Sequence, residues 1–216
     1  MKIGILGTGI VGQTIGSKLI HLGNDVMLGS RMPNNEKAIE WTKQNGSKAS
    51  HGTFAQAAAF GNILFNCTSG AASLDALNLA GKENLNGKIL IDVANPLDFS
   101  KGMPPTLSIC NSDSLGEQIQ RSFPELKVVK ALNTMNCKLM VEPSALKEDH
   151  DVFMCGNNAD SKAEVASMLK EWFGWKTVID LGDITAARGM EMILPLWLRL
   201  MGTLKTPTFN FKIVRQ

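Results

Sequence analysis

The chain has 216 residues and a formal net charge of +2, and 44% of its residues are hydrophobic. This length can bury one large core, or a medium-sized core with a small second unit. Because acidic and basic residues nearly balance, the composition gives no electrostatic reason to expect a nucleic acid or an anionic membrane as partner. The longest apolar run, 192–204, is shorter than a bilayer-spanning helix requires and contains Arg199.

The cysteines and the N-terminus indicate the compartment. Cys67, Cys110, Cys137 and Cys155 are scattered without a CxxC spacing, which is typical of reduced thiols rather than of disulfides or metal ligands. Met1 leads directly into an apolar segment, which leaves no room for a signal peptide. We therefore expect a cytoplasmic protein without a metal site.

The first 31 residues follow a strand–turn–helix–strand pattern. Residues 2–6 predict an apolar strand, residues 10–22 an amphipathic helix and residues 25–29 a second strand. A GxGxxG turn, 7–12, lies between the first strand and the helix. Because the strand, the glycines, the helix and the second strand follow in this order and at this spacing, the segment is typical of the βαβ unit of dinucleotide-binding (Rossmann) folds.

Each glycine of this turn has a mechanical task. Gly7 permits the tight exit from the strand, Gly9 lets a pyrophosphate approach the backbone, and Gly12 lets the helix pack closely on the sheet. The N–H groups at the helix start then bind the pyrophosphate with the help of the helix dipole. We predict that the following residues contact the dinucleotide: Gly7, Thr8, Gly9, Ile10, Val11 and Gly12.

The end of the second strand indicates which dinucleotide is bound. An NAD site usually has Asp or Glu here, whereas this chain has Ser30 and Arg31. A hydroxyl and a guanidinium suit the 2′-phosphate of NADP, because Arg offers a planar fork of donors. Lys37, in the next predicted helix, adds a second positive charge. We therefore predict NADP(H) rather than NAD(H).

Further strands and helices alternate up to residue 134, and this alternation predicts an α/β fold with a doubly wound, mostly parallel sheet. The run 100–110 is predicted as a long surface loop. A helix capped by Ser112 or Asp113 is expected to end at Phe123. The other predicted helices are 36–44, 53–60 (with Thr53 as cap) and 71–80, and the predicted strands are 48–50, 62–67, 88–93 and 126–132.

Polar residues follow three of these strands. In a doubly wound sheet, ligands bind beyond the carboxyl ends of the strands. We therefore predict cofactor contacts from three pairs of residues, namely Cys67 with Thr68, Asn95 with Pro96, and Asn133 with Thr134. Lys130 is the one ionisable residue inside the apolar strand core 128–132, and it is either a paired or edge lysine or a site residue.

Residues 135–216 predict a small C-terminal α/β cap, separate from a nucleotide-binding domain of residues 1–134. Expected here are strands at 151–155 and 176–181, helices at 161–173 and 185–203, and a terminal strand or extended arm at 208–214. The last helix, interrupted at Pro195, is apolar nearly all round, which indicates a buried helix or an interface. We expect it to mediate a homodimer.

The chain lacks the usual apparatus for reducing a carbonyl group. It has no tyrosine, and His21, His51 and His150 each stand alone without an acidic partner at an obvious spacing. Hydride transfer between two stacked rings needs positioning and exclusion of water, but no protein nucleophile. We therefore predict a flavin-like small-molecule acceptor and no catalytic side chain, with the Met- and Trp-containing last helix as a wall of its site.

With these residues in view, the chain resembles the NADPH-dependent oxidoreductases that act with the deazaflavin coenzyme F420. The resemblance spans nearly the whole length. The cytosolic domains of six-transmembrane ferric reductases are similar in the nucleotide half. The segments that carry the resemblance are 7–12, 29–31, 128–134, 181–188, 194–197 and 209–212.

The resemblance implies hydride transfer between NADP(H) and coenzyme F420 in a cleft between the two units. It also implies that Thr8, Ser30, Arg31 and the basic Lys37 hold NADP. FMN, FAD or another small acceptor are alternatives for the second ring. Two further readings stay open: an NADP(H)-sensing module without turnover, and a dehydrogenase for a small substrate with Lys130 as its acid.

Overall fold

The fold is built on one mixed sheet of eight strands and one small hairpin. The strands of the computed structural model, which describes residues 1–216, are β1 (Lys2–Leu6), β2 (Asp25–Ser30), β3 (Ala49–Thr53), β4 (Ile63–Asn66), β5 (Ile89–Asp92), β6 (Leu97–Asp98), β7 (Thr106–Leu107), β8 (Lys127–Ala131), β9 (Asp151–Gly156) and β10 (Thr177–Asp180). The sheet order is β10-β9-β8-β5-β4-β1-β2-β3, and β6 pairs with β7. Within the sheet only β8 and β9 are antiparallel. The predicted doubly wound α/β fold is confirmed.

Ten helices connect or flank these strands. They are α1 (Ile10–His21), α2 (Glu36–Asn45), α3 (Phe54–Phe60), α4 (Ser73–Ala80), α5 (Lys82–Leu85), α6 (Leu115–Ser122), α7 (Cys137–Val141), α8 (Ala159–Phe173), α9 (Ala187–Met192) and α10 (Leu194–Leu204). Thr53 caps α3 as predicted, in a capping box with Gln56. The predicted caps of α6 were wrong: Ser114 accepts from the Glu117 amide, whereas Asp113 binds Arg121.

The strands alternate their side chains between two separate hydrophobic cores, one on each face of the sheet. Ile3 and Ile5 pack with α1, α2, α7 and α8 on one face. Leu6 and Leu64 pack with α3 to α6 and α9 on the other. Coverage of both faces explains why the central strands are apolar throughout.

The C-terminal third continues the same sheet. β9 pairs with β8, which belongs to the first 134 residues, so the sheet crosses the predicted boundary without a break. The division at residue 134 stays a prediction. The tail after α10 forms no strand; it lies against the start of β9, where the Asp151 amide donates to the Phe211 carbonyl.

Three short elements were not predicted. They are the hairpin of β6 and β7, of which only β7 lies within the predicted loop 100–110, and the helices α5 and α7, which each contain fewer than six residues. The predicted last helix is divided at Ile193, directly before Leu194 and Pro195, which open α10. Proline at a first helical turn is compatible with helix geometry but ends the helix that precedes it.

Candidate nucleotide-binding site

The sheet register brings the carboxyl ends of five strands together. Leu6 of β1 stands opposite Gly29 of β2 and Asn66 of β4. Asn66 is in turn paired with Asp92 of β5, and Asp92 with Lys130 of β8. The residues that follow these strand ends, including most of the predicted contacts, therefore lie along one edge of the sheet.

The glycine turn has the geometry that a close-approaching ligand needs. Gly7 has φ +123°, and a Cβ on it would lie 2.5 Å from the Cys67 carbonyl oxygen. A Cβ on Gly12 would lie 2.6 Å from the Gly7 oxygen. Around Gly9, by contrast, an added Cβ would meet no protein atom within 4 Å. Gly7 and Gly12 are thus required by the fold itself, whereas Gly9 leaves open space beside the backbone.

The N-terminus of α1 is available to an anion. Gly9 is the N-cap and offers no side-chain acceptor, and the first turn contains no acidic residue. The first amides of a helix have no acceptor within the helix. Ile10, which opens the helix, is 72% exposed. The predicted pyrophosphate position therefore combines unpaired donors with the positive end of the helix dipole.

The residues after β2 present positive charge beside this turn. The Gly7 amide donates to the Gly29 carbonyl at 3.0 Å, so the two strand ends are neighbours. Ser30 is buried and its hydroxyl donates to the Met32 carbonyl. Arg31 is exposed and forms no hydrogen bond or ion pair with the protein, and Lys37 lies exposed in the first turn of α2.

A depression of about 190 Å³ lies at the ends of β4 and β5. Cys67, Thr68 and Asn95 line it, as does Val11 from the glycine turn. Ser69 and Gly70, the neighbours of Thr68, also line it, and the sequence did not indicate the remaining lining residues, which are Val93, Ala94, Leu97 and Phe99. Pro96 is buried directly after Asn95. The structure thus brings the glycine turn and the strand-end residues around one cleft.

Asn133 and Thr134 are placed at the predicted edge but are almost fully buried. The Asn133 side-chain amide donates to Asn95 Oδ1 at 2.9 Å and to the Met190 carbonyl at 2.9 Å. Asn95 in turn donates to the Asn133 carbonyl at 2.8 Å. The preceding Leu132 has φ +65°, a left-handed conformation that is costly for leucine. Asn133 therefore orients Asn95 rather than lining the cleft.

A buried polar network lies directly beneath the cleft. Lys130 Nζ donates to Asp92 Oδ2 at 2.7 Å and to the Ala94 carbonyl at 2.7 Å, and it forms an ion pair with Glu191 Oε1 at 2.8 Å. Asn66 donates to the other oxygen of Asp92 at 2.8 Å. Sequence reasoning missed Asp92 and Glu191. Both could have been suspected from the sequence, because Asp92 is an acidic residue at the end of an apolar strand and Glu191 is an acidic residue between two methionines of an apolar helix.

The charges of this network are set by burial and by pairing. Burial alone lowers the pKa of Lys130, but the charges of Asp92 and Glu191 outweigh it, so the net pKa is raised. Burial raises the pKa of Glu191 despite the nearby Lys130. Burial, with a contribution from Asp92, also raises the pKa of the Cys67 thiol, which makes a thiolate at the cleft unfavourable. Lys130 is therefore a buried cation that is paired with two carboxylates.

The predicted last helix, which is α9 and α10 in the structure, is only partly buried. Only Leu194 and Trp197 of α10 are buried, and Trp197 stacks on Phe209 of the tail at 5.3 Å between ring centroids. Leu196 and Leu204 remain about half exposed. Of the two roles predicted for this apolar helix, complete burial is wrong and an interface stays a prediction.

Other chemistries find no support in the side-chain arrangement. No group of three or more His, Cys, Asp and Glu residues is placed to hold a metal ion. His51 bonds to Thr42, and His150 to the Pro143 carbonyl and Asn210. No helix combines the length and apolarity needed to cross a bilayer.

Comparisons with known proteins agree with this geometry. Residues 2–96 match the family profile described as NADP oxidoreductase, coenzyme F420-dependent. The F420-dependent NADP reductase of Methanocaldococcus jannaschii is 31% identical over 209 residues, which cover 93% of this chain and 92% of the relative. The rat metalloreductase STEAP3 is 27% identical over 96% of this chain but only 38% of its own length.

Solved structures extend the comparison. A candidate F420-dependent NADP reductase from Arthrobacter sp. FB24 superposes with a TM-score of 0.95 and 54% identity, covering 100% of both chains. An imine reductase from Streptomyces aurantiacus shares the fold at a TM-score of 0.64 and 18% identity, over 94% of this chain and 63% of that one. The resemblance recognised in the sequence is confirmed, and the chain belongs to the family of coenzyme F420-dependent NADP oxidoreductases.

Proposed function

We propose that this protein transfers a hydride between NADP(H) and coenzyme F420 by positioning two rings, without an acid or base from the protein. The observation that carries the NADP half is the uncapped N-terminus of α1 next to the unpaired Arg31. These are the donors that a diphosphate and a 2′-phosphate require. The F420 half is supported by the relatives of the same length, whose names specify that coenzyme.

Different residues of the site bind different parts of the dinucleotide. The glycine turn, 7–12, binds the diphosphate, and Ser30, Arg31 and Lys37 hold the phosphorylated ribose of the adenosine end. The nicotinamide end extends across the ends of β4 and β5, where Thr68 and Asn95 lie. The bound nicotinamide supplies the hydride chemistry, and the protein supplies orientation and exclusion of water.

The pairing of Lys130 bears on the alternative in which it acts as a general acid. Lys130 is fully buried, donates to Asp92 and to the Ala94 carbonyl, and is ion-paired with Glu191, which argues against a role as general acid. The apolar part of the cleft lining includes Val11, Leu97 and Phe99. Such walls suit a flat ring that accepts a hydride, and F420, FMN and FAD all present one. We further propose that the protein acts in the cytoplasm as a homodimer through α10.

The decisive experiment measures NADPH oxidation with F420, FMN and FAD in separate assays. We expect turnover with F420, and the same assay with NADH to be much weaker. Arg31→Ala should raise the KM for NADPH roughly 10- to 100-fold, because it removes a charge-assisted pair with the 2′-phosphate, and should leave the KM for NADH within twofold. Lys170→Ala, an exposed cation on α8, is the matched control and should change neither.

Each half of the proposal can fail separately. A native preference for NADH, or an equal loss for both nucleotides in Arg31→Ala, would overturn the NADP assignment. NADPH binding without turnover on any of the acceptors would instead favour a sensing role. Turnover with FMN or FAD but not with F420 would replace the proposed acceptor.

A further inference from the structure

Three ionisable side chains are buried together beneath the cleft, and we name them the Lys130 cluster: Asp92, Lys130 and Glu191. Each of these side chains is at most 1% exposed. Burying charge is unfavourable unless every group is paired, and an apolar replacement is often at least as stable. Asp92 ends β5, Lys130 lies on β8 and Glu191 lies on α9, so the cluster connects two strands and a helix. Because burial of these charges brings little stability, we infer that the cluster serves to hold these elements in position.

The cluster holds both peptide groups that flank Ala94, at the floor of the cleft. The Ala94 amide donates to Asp92 Oδ1 at 3.2 Å, and the Ala94 carbonyl accepts from Lys130 at 2.7 Å. Ala94 directly precedes Asn95, which lines the cleft. The ion pair of Asp92 with Lys130 therefore sets the height and orientation of the backbone at this point.

The same cluster connects the floor of the cleft to α9. Glu191, on α9, pairs with Lys130 and accepts from the Leu115 and Gly116 amides at the start of α6. Asn133 makes a second connection, from Asn95 to the Met190 carbonyl. The floor of the cleft and α9 are thus linked twice, by the Lys130–Glu191 ion pair and by the hydrogen bonds of Asn133.

We propose that Lys130 is a positioning residue for hydride transfer, which holds the Ala94–Asn95 backbone and α9 at the spacing that brings the two rings together. This inference rests on the proposed function, because it assigns the nicotinamide end to the Asn95 side of the cleft. The affinity for NADP(H) comes from the phosphate contacts at the glycine turn and Arg31, more than one strand away. Loss of Lys130 should therefore reduce the rate of transfer while leaving affinity nearly unchanged.

The test compares Lys130→Met with Lys162→Met. Lys162 is a matched control, because it also bonds a carboxylate and a main-chain carbonyl, those of Asp180 and Gly182, but lies on α8 away from the cleft. Single-turnover oxidation of NADPH by F420 should slow about 10- to 100-fold in Lys130→Met and stay within twofold in Lys162→Met. The Kd for NADP⁺, measured by titration calorimetry, should change less than threefold in both.

A readout independent of turnover is amide hydrogen exchange in the unliganded protein. Exchange across residues 93–97 should accelerate in Lys130→Met and remain as in the wild type in Lys162→Met. If Lys130→Met does not fold, Glu191→Gln serves instead, since it keeps an oxygen for the α6 amides; it should slow transfer about 3- to 10-fold at unchanged Kd.

Outcomes for the inference and for the function are distinct. An unchanged single-turnover rate in Lys130→Met, or in Glu191→Gln where it replaces that variant, would overturn the positioning role, as would a parallel loss of rate and of NADP⁺ affinity. The same holds if Lys162→Met slows transfer equally, because the effect would then reflect general loss of stability. Failure of the wild type to reduce F420 would contradict the proposed function instead, and exchange at 93–97 would still test the tethering.

Discussion

At the scale of single residues, the glycine turn contains two positions at which replacement by alanine should affect stability differently. Gly7→Ala places a Cβ at φ +123° and 2.5 Å from the Cys67 carbonyl, so the free energy of unfolding should fall by about 1–3 kcal/mol. Gly9→Ala meets no protein atom within 4 Å and has φ −76°, so its stability should change by less than about 0.5 kcal/mol.

Nucleotide binding should separate the same two variants. The open space beside Gly9 is where we place the pyrophosphate, so Gly9→Ala should weaken NADPH binding at least about tenfold despite its intact fold. Urea unfolding and fluorescence titration with NADPH measure the two effects. If Gly9→Ala binds NADPH normally, the diphosphate does not approach this backbone and the binding mode is wrong.

Some features of single residues could be predicted from the sequence and others could not. The roles of Gly7 and Gly12 followed from a motif with known geometry, and the structure shows the predicted close approaches. The left-handed conformation of Leu132 could not be foreseen, because leucine is rarely found there and tertiary contacts of Asn133 impose it. For the same reason the burial of Asn133 was invisible in the sequence.

At the scale of elements, α6 and α9 are joined by an ion pair whose contribution depends on pH. Arg188 donates two hydrogen bonds to Glu117, and these bonds lower the pKa of Glu117 below its ordinary value of 4.5. A carboxyl group with a lowered folded-state pKa stabilises the protein above its unfolded pKa, and this stability is lost as the pH falls through the folded value.

We therefore expect Arg188→Met to reduce the free energy of unfolding at pH 7 by about 1 kcal/mol, since the arginine is partly exposed. The difference from the wild type should shrink towards zero as the pH falls below 4.5 towards 3. Urea unfolding at pH 7 and pH 3 measures it. Lys48→Met, which breaks a half-exposed pair with Asp25, should cost little at either pH. A pH-independent loss in Arg188→Met would show that packing, rather than the charge, holds the two helices.

The elements found from sequence are those with a repeating pattern. The βαβ unit and the apolar strands β4, β5 and β8 have clear periodicity or continuous burial, so their type and order were predicted. The two-residue strands β6 and β7 are too short to have any period. The antiparallel direction of β9 is a tertiary property, since the intervening 132–150 contains only one short α-helix and no pattern that fixes a crossover.

At the scale of the whole molecule, α10 presents apolar side chains that the rest of the chain does not cover. α10 is held by α9 and by the stacking of Trp197 on Phe209, and it leaves Leu196 and Leu204 about half exposed. Exposed apolar side chains clustered on one helix are typical of an interface rather than of a free surface. A second copy packed here would also restrain α9 and hence the Lys130 cluster.

Homodimer formation through α10 predicts a solution mass of twice the 23.4 kDa of one chain. Leu196→Glu should convert the dimer to a monomer, because an isologous interface would bury the new charge twice without a partner. Leu79→Glu, on α4 and 53% exposed like Leu196, is the matched control and should remain dimeric. Light scattering coupled to size exclusion measures each mass across a range of protein concentrations. A monomeric wild type, or a dimeric Leu196→Glu, would remove α10 as the interface.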